Sequence, residues 1–278
     1  MVSLIDLEHQ GVTRVIGAWS VGGVVVDPGP EPCVEALLKG LGGEEPSALL
    51  LTHIHLDHAG ATGALVRRFP DLRVYVHERG AAHLADPSKL LRSAGRLYGD
   101  AMGSLWGEVL PVPERNIHPL EGGETVEGFR AAYTPGHASH HVAYLHEQTG
   151  KAFVGDVAGV RISEGFVLPP TPPPEVDIKL WLQSLELIAD WDADRLCLAH
   201  FGEVTDPRPH LDLVGEELER LGALARDGDR EAFLDALERE IDESADPGDR
   251  ERITLAVPPE HVWLGLERYW EKHGVLKD

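Results

Sequence analysis

The sequence predicts an α+β fold of four layers, an αββα sandwich in which two β-sheets lie between outer helices. The first observation is that short strand-like runs alternate with amphipathic helix-like runs over residues 1–204, with short turns between them. The second is that strand-like runs stop near residue 205, after which helical stripes follow. We therefore expect a catalytic sandwich domain over residues 1–204 and a C-terminal helical region over residues 205–278.

Strands are indicated by short apolar runs bounded by turns, and helices by apolar residues at helical spacing. The run 48–51 is entirely apolar, which is typical of a buried strand, and the turn 147–150 joins two strands as a hairpin. Ile178, Trp181 and Leu185 share one face of a helix. In chain order, the sequence predicts strands over 12–19, 22–26, 48–51, 73–76, 129–134, 141–145, 151–154 and 195–200, and helices over 34–41, 61–69 and 177–191.

Two segments interrupt this alternation. Residues 78–113 form an insertion whose pattern predicts one or two helices near the expected cleft. Residues 168–174 include five prolines, so we expect a stiff extended loop that forms either a rim of the cleft or a plain connection.

The C-terminal region shows three helical stripes, broken at 227–229 and 246–248 by glycine and proline. Trp263 and Trp270 lie seven residues apart on the last of them, a spacing that fits core packing or a contact within a homodimer. The stripes consist of Leu211, Val214, Leu218, Leu221 and Leu224, then Phe233, Leu237 and Ile241, then Val262, Leu266 and Tyr269.

The segment after the strand 48–51 carries three histidines and an aspartate within six positions, His53, His55, Asp57 and His58. Neutral imidazoles and carboxylates are ligands that borderline divalent metals prefer. On an extended segment His53 and His55 point to the same side, whereas Asp57 and His58 fall where the chain turns. The spacing therefore suggests two metals rather than one.

Three later strand-like runs also end in residues that bind metals. His137 follows the first run, Asp156 ends the second and His200 ends the third. Side chains at strand ends are held rigidly, as a preorganised site requires. With the run 48–51, four strand-like runs each have a potential ligand at the C-terminal end. The general preference of polar residues for the surface does not explain this regularity.

The order His53, His55, Asp57, His58, His137, Asp156, His200 resembles the metallo-β-lactamase superfamily of hydrolases, including its glyoxalase II-like and lactonase-like members. The resemblance covers roughly residues 12–203 and implies the same αββα sandwich. The stretch 22–29 and the turn 134–137 are also similar to that family, and Asp27 is expected to have a supporting role. The motif is specific for the superfamily and weakly specific for the substrate.

The resemblance also implies roles for individual residues. His53, His55 and His137 would hold one metal, Asp57, His58 and His200 the other, and Asp156 and a hydroxide would bridge them. Two divalent ions make hydroxide available at neutral pH and polarise the bond to be broken. Asp57 is the expected catalytic residue besides being a ligand, through orienting the nucleophile or moving its proton.

Further residues are expected to support the ligands or to contact the substrate. His141 is expected to support the ligands by donating a ring N–H to a carboxylate, with a plain structural role as the alternative. In the insertion, Arg92, Arg96 and Tyr98 are candidates for holding an anionic substrate group, and Trp106 for an apolar wall. The alternative for Arg92 and Arg96 is a solvated helix face.

Composition limits the partners. The net charge is −22, with 25 Lys and Arg against 47 Asp and Glu, which disfavours a nuclease because nucleic-acid backbones are bound through basic residues. No stretch has the length and apolarity of a membrane span, and the first residues lack the pattern of a secretion signal. Cys33 and Cys197 are expected to be free core thiols, and the protein to be cytoplasmic.

The sequence thus predicts a metal-dependent hydrolase with two divalent ions that acts on a small ester, thioester, lactone or phosphodiester. Zinc is the expected metal, and manganese and iron suit the same ligands. Two alternatives remain open: a mononuclear iron enzyme of the sulfur dioxygenase type, and a non-catalytic metal-binding protein.

Overall fold

A computed structural model describes residues 1–275, and the strands within that range form two six-stranded mixed sheets. The strands are β1 (Val2–Asp6), β2 (Gly17–Val21), β3 (Val24–Val26), β4 (Ala48–Leu50), β5 (Arg73–His77), β6 (Ile117–Leu120), β7 (Thr125–Val126), β8 (Phe129–Tyr133), β9 (Val142–His146), β10 (Lys151–Phe153), β11 (Arg195–Leu198) and β12 (Gly202–Val204).

Most α-helices of the described range pack on the outer faces of the sheets, and those near residues 56, 94 and 106 form a small cluster of their own. They are α1 (Val34–Gly40), α2 (Leu56–Ala59), α3 (Thr62–Arg68), α4 (Glu78–Ala85), α5 (Ser88–Tyr98), α6 (Met102–Trp106), α7 (Ile178–Ala189), α8 (Pro207–Arg226), α9 (Arg230–Ser244), α10 (Arg250–Ala256) and α11 (Pro259–Lys272). No helix within residues 1–275 combines the length and apolarity needed to cross a membrane.

Each sheet follows the chain in order. The first runs β1-β2-β3-β4-β5-β6, antiparallel up to β3 and parallel from β3 onward. The second runs β12-β11-β10-β9-β8-β7 and is antiparallel except between β10 and β11. The predicted αββα sandwich with C-terminal helices is confirmed.

Two kinds of core hold the layers together. Between the sheets lie large side chains from both inner faces, among them Trp19, Phe129, Tyr144 and Phe153. The outer face of the first sheet packs against helices α1, α3 and α4, as at Leu37. Because sheet faces alternate with a period of two, neighbouring strand residues serve different cores.

The C-terminal helices are the outer layer of the second sheet. Helices α8, α9 and α11 share one apolar core with α7, which contains Trp181, Phe233 and Trp263. Trp263 is buried in this core, and the indole N–H of Trp270 donates to the carbonyl of Gly222 at 2.7 Å. Both tryptophans therefore pack within the chain, while a homodimer stays a prediction.

The first predicted strand, over 12–19, is wrong at its start. Strand β2 begins only at Gly17, and its partner β1 was not predicted. The carboxylate of Asp6 accepts backbone N–H bonds from Glu8 and Arg14, and Arg14 has a positive φ of 61°. These local bonds make residues 7–16 a loop.

The number of helices also differs from the prediction. The insertion 78–113 contains three α-helices, α4, α5 and α6, rather than one or two. The C-terminal region adds α10, whose seven residues include only one buried side chain, Ile253. Such a short helix leaves no periodic stripe to recognise.

Candidate metal centre

The seven predicted ligands lie just beyond the C-terminal ends of four strands. His53 and His55 follow β4, and Asp57 and His58 lie on the short helix α2. His137 follows β8, Asp156 follows β10 and His200 follows β11. Because β4 belongs to the first sheet and the other three to the second, the site lies where the two sheets meet at one edge.

The structure gathers these residues into two groups of side chains that could each hold a metal ion. Within each group the candidate ligand atoms lie within 4.8 Å of one another. We call them the first cluster, His53, His55, His137 and Asp156, and the second cluster, Asp57, His58, Asp156 and His200.

Asp156 lies between the clusters and presents one oxygen to each. Its Oδ2 lies 3.4 Å from His137 Nε2, on the side of the first cluster. Its Oδ1 lies 3.1 Å from His58 Nε2 and 3.5 Å from His200 Nε2, on the side of the second cluster. The carboxylate therefore has the geometry of a bridge.

Hydrogen bonds from the far ring nitrogens fix several of these imidazoles. His137 Nδ1 donates to the carbonyl of Pro170 at 2.8 Å, and His200 Nδ1 donates to the carbonyl of Val15 at 2.7 Å. A nitrogen that donates its proton in this way leaves the other nitrogen, Nε2, free as a ligand. The proline run 168–174 thus orients a ligand of the first cluster.

Asp27 supports the second cluster through a contact with His58. Its carboxylate accepts from Thr52 N and Thr52 Oγ1, both at 2.7 Å, and lies 2.9 Å from His58 Nδ1. Thr52 Oγ1 also lies 3.0 Å from His53 Nδ1. The supporting role predicted for Asp27 therefore corresponds to bonds that connect the histidine segment to the end of β3.

Two glycines allow the ligand loops to approach their neighbours. At Gly155, which has a φ of +47°, a Cβ would lie 2.5 Å from Thr52 Oγ1 and 2.7 Å from His141 Nε2. At Gly136 a Cβ would lie 2.3 Å from the backbone of Trp181. Larger residues at these positions would displace Asp156 and His137, which come next in the chain.

The histidines of the first cluster are disposed to be neutral. Burial, together with the neighbouring histidines His58, His55 and His137, holds the pKa of His53 well below its ordinary value. Burial also lowers the pKa of His55, and it lowers that of His137 to about 4. Neutral imidazole is the form that binds a metal.

The second cluster behaves in the opposite way. Burial acts to lower the pKa of His58, but the carboxylates of Asp156, Asp57 and Asp27 outweigh it and raise that pKa well above its ordinary value. The pKa of His200 is raised too, because Asp156 and Asp57 overcome the effect of burial. In turn His58 and His200 overcome burial and lower the pKa of Asp57.

The residues present fit two divalent cations. Asp156 Oδ1 is buried and has no hydrogen-bond partner among the described residues, although it faces two imidazoles. An unsatisfied buried carboxylate oxygen is costly unless a cation or a proton satisfies it. The imidazole and carboxylate donors suit zinc, manganese or iron.

A cavity of about 240 Å³ opens above the clusters, and His55, Asp57 and Asp156 lie at its floor. Helices α4 and α5 form one wall, where Leu90 and Leu97 are apolar and Arg79 and Lys89 are cationic. The segment 170–175 forms a second wall. Of the two alternatives for the proline run, a rim of the cleft and a plain connection, the first describes this position.

Of the four residues predicted to contact the substrate, one lines the cavity. Tyr98 lines it, whereas Trp106 is buried behind Tyr98 at a ring distance of 5.0 Å. Arg92 and Arg96 are exposed to solvent and are not among the residues that line it. The open alternative for these two arginines, a solvated helix face, describes their position.

Contrary to the prediction, His141 does not donate to a carboxylate. Its Nδ1 lies 2.9 Å from the hydroxyl of Thr134, and its Nε2 has no partner among the described residues. Its ring stacks against His53 with centroids 5.2 Å apart. The bond to a carboxylate that was expected of His141 is made instead by His58, to Asp27.

Sequence reasoning missed part of the cavity wall. His140 lines it from the loop between β8 and β9, and His83 lines it from α4. Val257 and Pro258 line it from the turn between α10 and α11, and His261 from α11 itself. The latter three are about 100 residues beyond the bridging carboxylate in the chain. No spacing in the sequence links them to the ligand motif.

Comparison with known proteins supports these observations. A family model described as the metallo-beta-lactamase superfamily matches residues 22–200. The metallo-beta-lactamase fold-containing protein ST1585 of Sulfurisphaera tokodaii is 31% identical over 164 residues, which is 56% of this chain and 61% of that protein. A hydroxyacylglutathione hydrolase of Gloeothece citriformis is 32% identical over 139 residues, 48% of this chain and 43% of that one. The chain thus matches less than two thirds of the length of these curated relatives.

Solved structures agree in fold. ST1585 from Sulfolobus tokodaii has a TM-score of 0.65 at 25% identity and covers 79% of this chain and 85% of its own. TTHA1623, solved in a di-iron-bound form, has a TM-score of 0.51 at 29% identity, with 73% of this chain and 88% of its own covered. Because the family model covers more than half of the chain and all seven cluster residues lie within it, the chain belongs to the metallo-β-lactamase superfamily of metal-dependent hydrolases.

Proposed function

We propose that this protein is a hydrolase with two metal ions that cleaves a small ester, thioester, lactone or phosphodiester. The observation that carries the proposal is the position of Asp156, whose two oxygens each face one cluster at the floor of the cavity. A carboxylate so placed can hold two cations close enough to act on the same substrate.

The bound ions would supply hydroxide at neutral pH and polarise the carbonyl or phosphoryl oxygen of the substrate. The chain itself holds the ligands rigidly, through the carbonyls of Pro170 and Val15 and the carboxylate of Asp27. Asp57 has a lowered pKa and lines the cavity, so it is ionised and positioned to orient the attacking water or accept its proton.

The walls suit a small substrate with an apolar part and an anionic group. Leu90, Leu97 and Val257 are apolar, and the cationic side chains of Arg79 and Lys89 also line the cavity. Relatives named hydroxyacylglutathione hydrolase make thioesters the first class to test. Zinc is the metal we propose, and the di-iron form of TTHA1623 makes iron the second.

The experiment is elemental analysis of the purified protein, followed by turnover assays with zinc-, manganese- and iron-loaded samples on thioesters, lactones, carboxylic esters and phosphodiesters. Two ions per chain with turnover of one class would support the proposal. One iron per chain with oxygen uptake on a persulfide would favour the sulfur dioxygenase alternative. Two ions without turnover of any class would favour a metal-binding protein.

A further inference from the structure

The imidazoles of His137 and His200 depend on two backbone carbonyls that lie outside the sheets and helices. His137 Nδ1 donates to the carbonyl of Pro170 at 2.8 Å, and His200 Nδ1 donates to that of Val15 at 2.7 Å. Pro170 lies in the proline run and Val15 in the loop 7–16, so neither carbonyl is fixed by a strand or helix of its own. The direction of each imidazole therefore depends on what holds these two loops.

Helix α11 holds the loop of Pro170. Thr171 is completely buried, and its hydroxyl donates to the carbonyl of Val262 on α11 at 3.0 Å. The loop and the helix are in close contact here, since a Cβ at Gly265 would lie 1.8 Å from the carbonyl oxygen of Thr171. Because the peptide unit between Pro170 and Thr171 is planar, fixing Thr171 also fixes the direction of the oxygen that accepts from His137.

Helix α10 and the residue before it hold the loop of Val15. Arg252 Nε donates to the carbonyl of Thr13 at 3.0 Å, and Arg252 Nη1 donates to Asp249 Oδ1 at 2.5 Å. The same oxygen of Asp249 lies 3.7 Å from Nη1 of Arg14, and the carboxylate of this ion pair is buried. The two residues directly before Val15 are thus held by α10 and its N-cap residue.

The two connections lead to different clusters. His137 belongs only to the first cluster and His200 only to the second. The other ligands come from the segment 53–58 and from Asp156. Each cluster therefore has one imidazole whose direction is set through a C-terminal helix. Loss of a partner that orients a metal ligand costs roughly 10- to 100-fold in metal affinity, so these helices should influence metal binding.

We propose that Thr171 and Arg252 are positioning residues through which helices α11 and α10 set the affinities of the two metal ions separately. Thr171 acts on the ion of the first cluster, and Arg252 acts on the ion of the second. This inference rests on the part of the proposed function that assigns one ion to each cluster. It adds that the C-terminal helices are part of the metal centre, although they contribute none of its ligands.

The test measures zinc affinity in two backgrounds that each keep one cluster intact. Asp57→Ala removes a ligand of the second cluster only, and His55→Ala removes a ligand of the first cluster only. Each background receives either Thr171→Val, which keeps the size and removes the hydroxyl, or Arg252→Met, which removes the guanidinium donors. The Kd for zinc is measured on the full-length protein by competition with a chromophoric chelator, and circular dichroism checks the fold.

Matched controls make the same chemical changes away from the two loops. Thr254→Val removes a hydroxyl that donates to carbonyls of its own helix, α10. Arg250→Met removes a guanidinium of the same helix that pairs with Asp242. Thr171→Ser retains the hydroxyl and should therefore retain the zinc affinity of its background.

We expect Thr171→Val to weaken zinc binding about tenfold in the Asp57→Ala background and by less than about twofold in the His55→Ala background. Arg252→Met should give the opposite result, and the controls should change neither affinity. A loss of similar size in both backgrounds, as general destabilisation would produce, would overturn the proposal. The absence of a loss in either background would also overturn it.

A second measurement does not need a background that binds one ion. In the zinc-loaded protein with isotope-labelled histidine, the Nδ1–H groups of His137 and His200 should exchange slowly with solvent, because both are hydrogen-bonded and buried. Thr171→Val should accelerate exchange at His137 only, and Arg252→Met at His200 only. Faster exchange at both rings, or at neither, would overturn the proposal.

Turnover distinguishes this inference from the proposed function. If the crossed pattern of affinities is found while no ester, thioester, lactone or phosphodiester is hydrolysed, the hydrolase proposal fails and the positioning roles stand. If a substrate is hydrolysed while the crossed pattern is missing, the hydrolase proposal stands and the positioning roles fail.

Discussion

The two clusters share Asp156 and differ in the charge that surrounds them. The first presents imidazoles whose pKa values are lowered by burial, so it can receive a cation without releasing protons. The second adds Asp57 and the supporting Asp27, which raise the pKa of His58. The first cluster thus offers neutral imidazoles, and the second offers carboxylates beside histidines that tend to be protonated. We infer that the two ions bind with different affinities and different dependence on pH.

The largest effect is expected from Asp156→Ala, because this residue belongs to both clusters. Loss of a residue that only supports a metal ligand costs roughly 10- to 100-fold in affinity or activity, so loss of a bridging ligand should lower kcat/KM by more than about 100-fold. Metal content should fall below that of every other variant. Elemental analysis and turnover measure this, and two retained ions would refute the bridge.

Asp57→Ala separates the clusters, since Asp57 belongs only to the second. We expect loss of one ion, loss of turnover by more than about 100-fold, and an unchanged circular dichroism spectrum, for the reason that first-cluster ligands remain intact. Normal turnover on the best substrate would remove Asp57 from the catalytic assignment.

Asp27→Asn should have an intermediate effect confined to the second ion. The amide keeps the volume and tolerates the positive φ of 51° but removes the charge beside His58. We expect the affinity for the second ion to fall about tenfold and the first to stay unchanged. Asp192→Asn is the control, because Asp192 also has a positive φ, of 49°, and belongs to neither cluster. An equal loss in both variants would exclude a specific role for Asp27.

The pH dependence should also distinguish the ions. Because His58 and His200 have raised pKa values, protons compete with the second ion and its affinity falls as the pH is lowered. His53 has a lowered pKa, so the first ion is held to lower pH. Calorimetry in two buffers of different ionisation enthalpy should detect proton release at pH 7 with the second ion only. Proton release on binding of both ions would contradict the predicted difference between the two clusters.

The smallest effect concerns the wall above the clusters. Arg92→Ala and Arg96→Ala should leave kcat/KM within about twofold, as for exposed residues remote from a site. Lys89→Ala, on the same helix but lining the cavity, should raise KM for an anionic substrate and leave kcat unchanged. A selective loss in the arginine variants would show that α5 moves on substrate binding.

The ligands were predictable because each follows an apolar strand closely in the sequence. The run before His53 and the strand residues before Asp156 are local signals, and strand ends of neighbouring strands meet at one edge. Which face of α5 points to the cavity was not predictable, because the spacing of its apolar residues is compatible with either face. Arg92 and Arg96 were therefore chosen as candidates, whereas Lys89, which was not, lines the cavity once Ala94 and Leu90 pack on the other side chains of the insertion.

The stacked pair of His9 and Trp106 depends on contacts between distant segments. His9 and Trp106 are almost 100 residues apart, and His261 lies farther still. A single histidine in an N-terminal loop carries no pattern that indicates a stacked tryptophan. Strand β1 was missed for a related reason, because its residues 2–6 alternate too briefly to stand out from the loop that follows.

The walls contributed by Ala256, Pro258 and His261 lie outside the range 22–200 that the family model matches, while every ligand lies within it. The ligands and part of the cavity wall therefore come from stretches of the polypeptide that differ in their likeness to the family. Because helices α8, α9 and α11 share one apolar core with α7, this part of the wall is held by the same packing that supports the second sheet. We expect replacements at Ala256, Pro258 and His261 to change which molecules the cavity admits, while the seven ligands keep their positions.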